Sequence, residues 1–401
     1  MVKTSENIVR ILIGLTLGIS LVWNASAQSS VKPIRIGINL SITGFLGENI
    51  KTTMYADELW EKQINTRGGL LGRKVELTFS DNKSNPDNAV AIYERMVQDD
   101  YDFIFEDSGA LIVQRESTLA EQRKRLFLVP NGFARSLYER GYKYLFFTAP
   151  SVSEDLNIGL VRMLESLPPA SRPKSIAYST VENIASTSIT RGLQEMVKGL
   201  DMAKVLDVSY PSAINDATPI VNNLKQKEPE FVFQTGFAND TLLFIRAVKQ
   251  QDLKYKLLAI GMTAGALPNF VPSLGAATVE NMIYTAGWDP ALKTPGNQAF
   301  VKAYMDFKGV EPTYNSAQGW ARWQILEQAI NATKSLNDDI LRDYISRATF
   351  ATILGTVKFN DKGYISPTDT LVMQFQGGKR VIVWPKQFAT GQLVYPNPIV
   401  K

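Results

Sequence analysis

The stretch "GGLLGRKVELTFSDNKSNPDNAV", residues 68–90, decides the fold. Gly68 and Gly69 stop a helix, because glycine takes the left-handed cap conformation without a Cβ clash. Gly72 turns the chain back into an apolar strand over residues 75–80. Asn85, Pro86 and Asp87 then read as N-cap, first helical residue and an acid favoured by the helix dipole. The helix they open carries Ala89, Ile92, Tyr93, Met96 and Val97 at the spacing of one face, a stripe that packs on a sheet. The glycines are therefore corners in a β-α-β-α wind. No G-x-G-x-x-G or G-K-[ST] pattern is present, so they are not a phosphate loop.

Working outward, residues 33–40 alternate as a first strand. The loop Ser41-Ile42-Thr43-Gly44-Phe45-Leu46-Gly47 follows it, and Ala56, Leu59, Trp60 and Ile64 then share one helical face. Downstream come a strand over 103–106, a helix over 110–122 and strands over 126–129 and 145–148. After Ala149-Pro150-Ser151 a second series begins, with helices over 155–164, 188–198, 218–226 and 240–250. Its strands fall at 175–179, 204–208, 231–235 and 256–261. Strands alternating with helices imply parallel sheets with right-handed crossovers. Two such series imply two lobes. The tail breaks the alternation: a strand over 281–284, helices over 298–307 and 318–334, and short strands over 357–359, 371–375 and 381–383.

The N-terminus reads as a secretory signal. Lys3 and Arg10 precede an apolar run over 11–23, which ends in Ala25-Ser26-Ala27, an A-x-A cleavage site. The run falls short of a membrane span, and no cysteine follows it for lipid attachment. Cleavage after Ala27 leaves 374 of the 401 residues, enough for two ordinary domains and with no later stretch apolar enough to span a bilayer. That mature chain carries 41 basic and 38 acidic residues, too balanced for a nucleic-acid partner.

The chain has no cysteine and no histidine. Disulfides, thiol nucleophiles, thiolate metal sites and imidazole bases or ligands are thereby excluded. No S-x-x-K, G-x-S-x-G or paired-carboxylate pattern places another chemistry. The expectation is a protein that is not an enzyme, with no cofactor and no metal.

In order along the chain, "IRIGINLSITG", "INTRGGLLGRKVELTFSDNKSNPDNAV", "LFLVPNGFARSLYERGYKYLFFTAPS", "FVFQTGFANDTLLFIRAVKQQDLK" and "GTVKFNDKG" resemble the periplasmic solute-binding proteins of ABC importers. The family is the leucine/isoleucine/valine-binding (branched-chain amino acid) family, and the likeness runs from about residue 34 to 379. It implies an α/β fold of two doubly wound parallel-sheet lobes joined by a three-strand hinge, the type I bilobal fold. The N-terminal lobe would take residues 33–150 plus 282–362, and the C-terminal lobe 151–281 plus 363–401. The hinge would lie near Pro150-Ser151, Ala286-Gly287 and residues 363–367. It also implies export to the periplasm, a small-molecule ligand and the membrane subunits of an ABC permease as partner.

Independently of the family, ligands of open α/β sheets bind beyond the carboxyl ends of the strands. That rule selects residues 43–47, 107–110 and 131–133. Ser108, Gly109 and Ala110 stand at a strand-to-helix junction where backbone NH groups can face a carboxylate. An ordinary Ser N-cap is the equal alternative on capping grounds. The resemblance favours carboxylate binding there, adds Asn131 and Phe133 after the next strand, and adds Phe237 as an aromatic flanking the ligand from the second lobe. Phe45 has the same standing in the first loop.

Two departures from the family bear on the ligand. Ala185-Ser186-Thr187 stand where amino-acid binders place a tyrosine, which leaves Ser186 as that loop's candidate contact. Met262-Thr263-Ala264 stand where they place an acid for the ligand's ammonium. A buried ammonium without a carboxylate partner is costly, so Glu182 or Asp240 would have to substitute. A small organic acid or amide is the competing ligand, and a ligand-sensing subunit with the same fold is the competing role.

Overall fold

The computed structural model describes residues 32–398 apart from 45, 212–213, 262 and 366–368. The signal segment and Phe45 therefore lie outside the described residues. The strands are β1 Ile34–Leu40, β2 Val75–Asp81, β3 Phe103–Asp107, β4 Phe127–Val129, β5 Leu145–Phe147, β6 Ser175–Val181 and β7 Ala203–Tyr210. They continue with β8 Phe231–Thr235, β9 Leu257–Ile260, β10 Ile283–Ala286, β11 Thr349–Thr352, β12 Gly355–Lys358, β13 Leu371–Gln376 and β14 Lys379–Trp384. The helices are α1 Gly47–Thr66, α2 Pro86–Gln98, α3 Ala110–Gln122, α4 Ile158–Glu165, α5 Ile184–Met196 and α6 Thr218–Lys227. After them come α7 Ala238–Gln250, α8 Phe270–Leu274, α9 Ala276–Val279, α10 Asn297–Lys308, α11 Tyr314–Thr333 and α12 Asp338–Ile345.

In the stretch over 68–90, Gly69 has φ +78°, and a Cβ there would lie 1.8 Å from the Arg73 carbonyl oxygen. Only glycine fits that approach. Leu70 and Arg73 exchange both backbone hydrogen bonds at 2.9 Å around Leu71 and Gly72, which have φ of 50° and 75°. That pairing is a two-residue hairpin of the kind that needs left-handed residues, one step more structure than a plain turn. Asn85 caps α2 as expected, its side chain accepting from the NH groups of Asp87 and Asn88, with Pro86 in the first turn. Ala89, Tyr93 and Met96 of the stripe are buried.

The first sheet runs β2-β1-β3, all parallel, and β4 and β5 form a parallel pair of their own. β1 is buried on both faces, as its apolar run requires. The second sheet has seven strands in the order β14-β13-β10-β9-β8-β6-β7. Its β13 and β14 are antiparallel additions to an otherwise parallel wind.

The return of the chain to the first lobe is made by α10 and α11. Trp323 of α11 stacks on Trp60 of α1 at 4.1 Å and meets Phe105 of β3 edge-on. Strand β10 pairs with β9 and β13, which puts residues 283–286 in the second sheet. Two helices begin four residues earlier than the periodicity indicates, each because of a cap. Asn183 accepts from the Ser186 NH at the start of α5, and Thr313 and Ser316 form a capping box at the start of α11. Four elements, α8, α9, α12 and β11, were not anticipated from the sequence; Asn337 caps α12.

Candidate functional site

The loops at the carboxyl ends of β1, β3 and β4 rest on a buried polar scaffold. The Asp81 carboxylate accepts from the NH groups of Ile42, Thr43 and Lys83 at 2.9–3.1 Å and from the Thr43 hydroxyl at 2.6 Å. Burial opposes its charge, but these bonds outweigh burial and hold its pKa below the usual range. Asn82 sits at the centre, accepting from Ser41 at 2.8 Å and donating to Asn39 at 3.1 Å and to the Ser108 hydroxyl at 2.9 Å.

Ser108 is buried and serves this scaffold, so it is not the helix cap. The N-cap of α3 is Gly109, in extended conformation with no side-chain cap bond. The Gly109 carbonyl accepts from Ile112 and Val113, whereas among the described residues no side chain caps the NH end of this first turn, where Ala110 lies. Leu46 of the first loop closes in from the side, since a Cβ on Gly109 would lie 3.3 Å from it.

Asn131 is buried, and its amide nitrogen has no partner among the described residues. Phe133 is partly buried, edge-on to Phe147 at 5.3 Å and tilted against Tyr314 at 6.3 Å. Its carbonyl accepts from the Ser153 NH at 2.7 Å, which ties it to the chain segment entering the second lobe. Phe133 thus packs at the seam rather than in an open loop.

In the second lobe, Phe237 is the N-cap of α7 and is 41% exposed. Ser186 is fully buried and engaged with Asn183, whose side chain receives its NH and donates to its hydroxyl, both at 2.9 Å. Its hydroxyl therefore serves the cap of α5, and Ile184, 61% exposed, is an apolar residue turned outward in the same turn. Asp240 is buried in the first turn of α7, while Glu182 is exposed. Met262 is outside the described residues.

Sequence reasoning missed Ile42, Leu111 and Ile184, which join Phe237 as exposed apolar side chains at the carboxyl ends of β1, β3, β6 and β8. Ile42 and Phe237 stand two residues after a strand, Ile184 three and Leu111 four, in the second position of α3, and that placement was the available signal. Two surface concavities, of about 400 and 600 Å3, lie elsewhere. One is lined by Glu230, Lys256 and Asn397 at the amino ends of β8 and β9, and the other runs between α1 and α10. Both are rich in charged rims and remote from the loops above. Strand polarity is the better guide to the site than concavity size, because the loop ends carry the exposed apolar groups and the uncapped helix start. Among the described residues no cluster of acids has the make-up of a metal site, and no helix is long and apolar enough to cross a membrane.

Below the loops the first lobe buries real charge. Arg322 of α11 reaches Asp107 at 2.5 and 3.0 Å and Asp57 at 2.7 Å, and the Trp323 indole donates to Asp57 at 2.6 Å. All three charged side chains are fully buried. Burial alone would lower the Arg322 pKa, but the two carboxylates raise it, so the guanidinium stays charged. Burial, opposed by Arg322 and reinforced by repulsion from Asp107, pushes the Asp57 carboxyl up. On the other face of β3, Glu106 and Glu116 are fully buried and both are pushed well above the carboxylate range, first by burial. Among the described residues neither Glu106 oxygen has a hydrogen-bond partner at close geometry, although Ser108 lies near enough to oppose the shift.

This chain matches the family model for periplasmic binding proteins over residues 33–379. It belongs to the periplasmic binding protein family. Among curated relatives, Leu/Ile/Val-binding protein homolog 8 of Brucella suis is 25% identical over 399 residues, covering 96% of this chain and 98% of the relative. Among solved structures, the fold matches the branched-chain amino acid transporter substrate binding protein LivJ of Streptococcus pneumoniae, in complex with isoleucine. That match has a TM-score of 0.74 and 18% identity, covering 91% of this chain and all of the other. It matches equally a solute binding protein of an ABC transporter from Rhodopseudomonas palustris in complex with 3,4-dihydroxybenzoic acid: TM-score 0.74, 18% identity, 91% of this chain and 99% of the other. The fold is the type I periplasmic binding fold, as the sequence resemblance implied.

Proposed function

We propose that this protein is the extracytoplasmic solute-binding component of an ABC importer and captures a small carboxylate between its two lobes. It binds rather than turns over its ligand. The observation that carries the reading is the start of α3, where Gly109 caps without a side chain and apolar residues flank the same end of the sheet. A helix start without a side-chain cap presents NH groups and the positive end of the dipole to an anion. The ligand carboxylate is held by Gly109 and Ala110 on the rigid first lobe, and Phe237 and Ile184 close on its apolar body from the second. Closure is driven by the ligand touching both lobes. Residues 1–27 act as the export signal, the lobes divide after β5, after β10 and after β12, and a permease is the docking partner.

A thermal-shift screen of the chain from Gln28 tests this. The panel holds branched-chain amino acids, benzoate and its hydroxylated derivatives, and aliphatic acids. A ligand at about 100 times its Kd adds roughly 2.7 kcal/mol, a clear rise in Tm. No rise with any carboxylate contradicts the reading.

A further inference from the structure

Two buried acids of the first lobe touch no ligand in the capture described above, yet they stand at the foot of the loop proposed to hold the anion. Glu106 of β3 lies opposite Asn39 of β1 in the parallel register, so both side chains leave the same face of the sheet. The Asn39 amide nitrogen donates to the Ala89 carbonyl at 2.7 Å and to the Glu116 carboxyl of α3. Its oxygen accepts from Asn82 at 3.1 Å, and the Asn82 amide nitrogen also donates to the Ser108 hydroxyl at 2.9 Å. Since the Ser108 oxygen already accepts, its own hydrogen is left to donate, and Glu106 is the acid whose charged form Ser108 favours. The two acids are thus the ends of one relay. Ser108, within it, is the residue before the Gly109 cap.

Both acids are fully buried, and among the described residues no cation pairs with either carboxyl. Arg322 acts on Glu106 only from the opposite face of β3, where Asp57 and Asp107 engage it. Arg140, beside Tyr138, is held by the Leu137 and Gln114 carbonyls and the Ser117 hydroxyl. The other titratable groups turned toward the pair are Asp107, the Tyr138 hydroxyl, which donates to the Gly132 carbonyl, and the Tyr93 hydroxyl of α2 near Glu116. Two neighbouring carboxyls buried in this way cannot both ionise cheaply, so the pair holds a proton. Burial first, then repulsion from Asp107 on Glu106 and from Glu106 on Glu116, pushes both well above the usual range. Glu106 stands three residues before Gly109 in extended chain and Glu116 seven after it in helix. Either path spans about 10 Å. A negative charge at that range weakens binding of a carboxylate by roughly 4- to 15-fold at the effective dielectric of a protein.

We infer that Glu106 and Glu116 are a proton-linked regulator of capture: the pair keeps its proton while the start of α3 holds a carboxylate, and losing that proton loosens the anion. The inference rests on the capture reading above and adds a pH dependence to it. Linkage is reciprocal, so capture draws a proton onto the pair. Because both folded values are raised, the pair titrates above the ordinary glutamate value of about 4.3, and affinity falls as pH rises through that range.

Calorimetric titration of the purified chain with benzoate and with leucine tests this, at about pH 5.5 and about pH 8 in buffers of different ionisation enthalpy. A ligand that binds is expected to lose roughly 4- to 15-fold in affinity between the two conditions and to bind with net proton uptake. The double variant Glu106→Gln/Glu116→Gln, a neutral stand-in for the protonated pair, should abolish both effects, and each single variant should weaken them. Tm is recorded for all three. Equal affinity at the two pH values without proton uptake, affinity that rises with pH, or a fall unchanged in every variant overturns the regulator and leaves capture standing. Variants that lose Tm and lose affinity equally at both pH values mark the glutamates as structural, which overturns it too. Silence with both ligands overturns capture and the regulator with it.

Discussion

The two lobes support their binding loops by different means. Beneath the first-lobe loops lie Arg322 with Asp57 and Asp107, the acids Glu106 and Glu116, and the Asn39–Asn82–Ser108 relay. Beneath the second-lobe loops most of the buried polar groups are neutral, Asp240 in the first turn of α7 being a buried acid among them. Thr190 bonds to Thr180 at 2.9 Å and to Thr235 at 3.2 Å, and Gln234 donates to Tyr210 at 3.0 Å. Tyr210 is pushed up to about 12, chiefly by burial, and stays protonated. Buried charge networks tolerate little displacement, because every partner is needed to offset desolvation. On the proposed reading, the first lobe holds an anion site in fixed geometry and the second brings an apolar wall onto it.

If that contrast is real, damage to the first lobe's support costs most. Arg322→Met leaves Asp57 and Asp107 buried without their cation and is expected to lose about 3–5 kcal/mol in urea unfolding. A loss below about 1 kcal/mol would mean the triad is not a strut. The pH dependence follows from the glutamates. Their folded pKa values are raised, so the folded chain holds these protons more tightly than the unfolded one. The stability they contribute is complete below the unfolded value of about 4.3 and is lost as pH rises toward the folded values, by up to about 1.4 kcal/mol per pH unit per proton. Glu116→Gln should flatten the fall in Tm between pH 5 and pH 8, and an unchanged slope would contradict the assignment.

The second lobe should respond more mildly. Thr190→Val removes a link in a neutral hydroxyl chain and should cost about 1 kcal/mol of stability. Smallest in stability is Phe237→Ala, at about 0.5 kcal/mol or less for a surface position. The same change should weaken capture of a bound acid by roughly 5- to 10-fold through lost apolar contact. A large Tm drop with unchanged affinity would place Phe237 in the core instead of the cleft.

The sequence exposes the fold because its signals are local. Gly69, the Asn85 cap and the α2 stripe each act within a few residues of one another. The same holds for Gly109 and Ala110, which a strand-end rule finds directly. What escaped is what depends on distance along the chain. Arg322 meets partners 265 and 215 residues away, and Ser108 looks like a cap until Asn82 is seen to claim it. The bond that Asn183 donates to the Ser186 hydroxyl is likewise seen only once the start of α5 is known.

The central claim is that the start of α3 holds a carboxylate through backbone NH groups, and Ala110→Pro tests it most directly. Proline is accepted at the first helical position, and the extended conformation of Gly109 suits the residue before it. The substitution removes one NH and little else. Titration of wild-type and Ala110→Pro chains with the acid giving the largest thermal shift should show a loss of roughly tenfold or more, as for a hydrogen bond to a charged group. The Tm without ligand should stay close to wild type. Equal affinity in the two chains would contradict the claim and move the carboxylate to another part of the cleft.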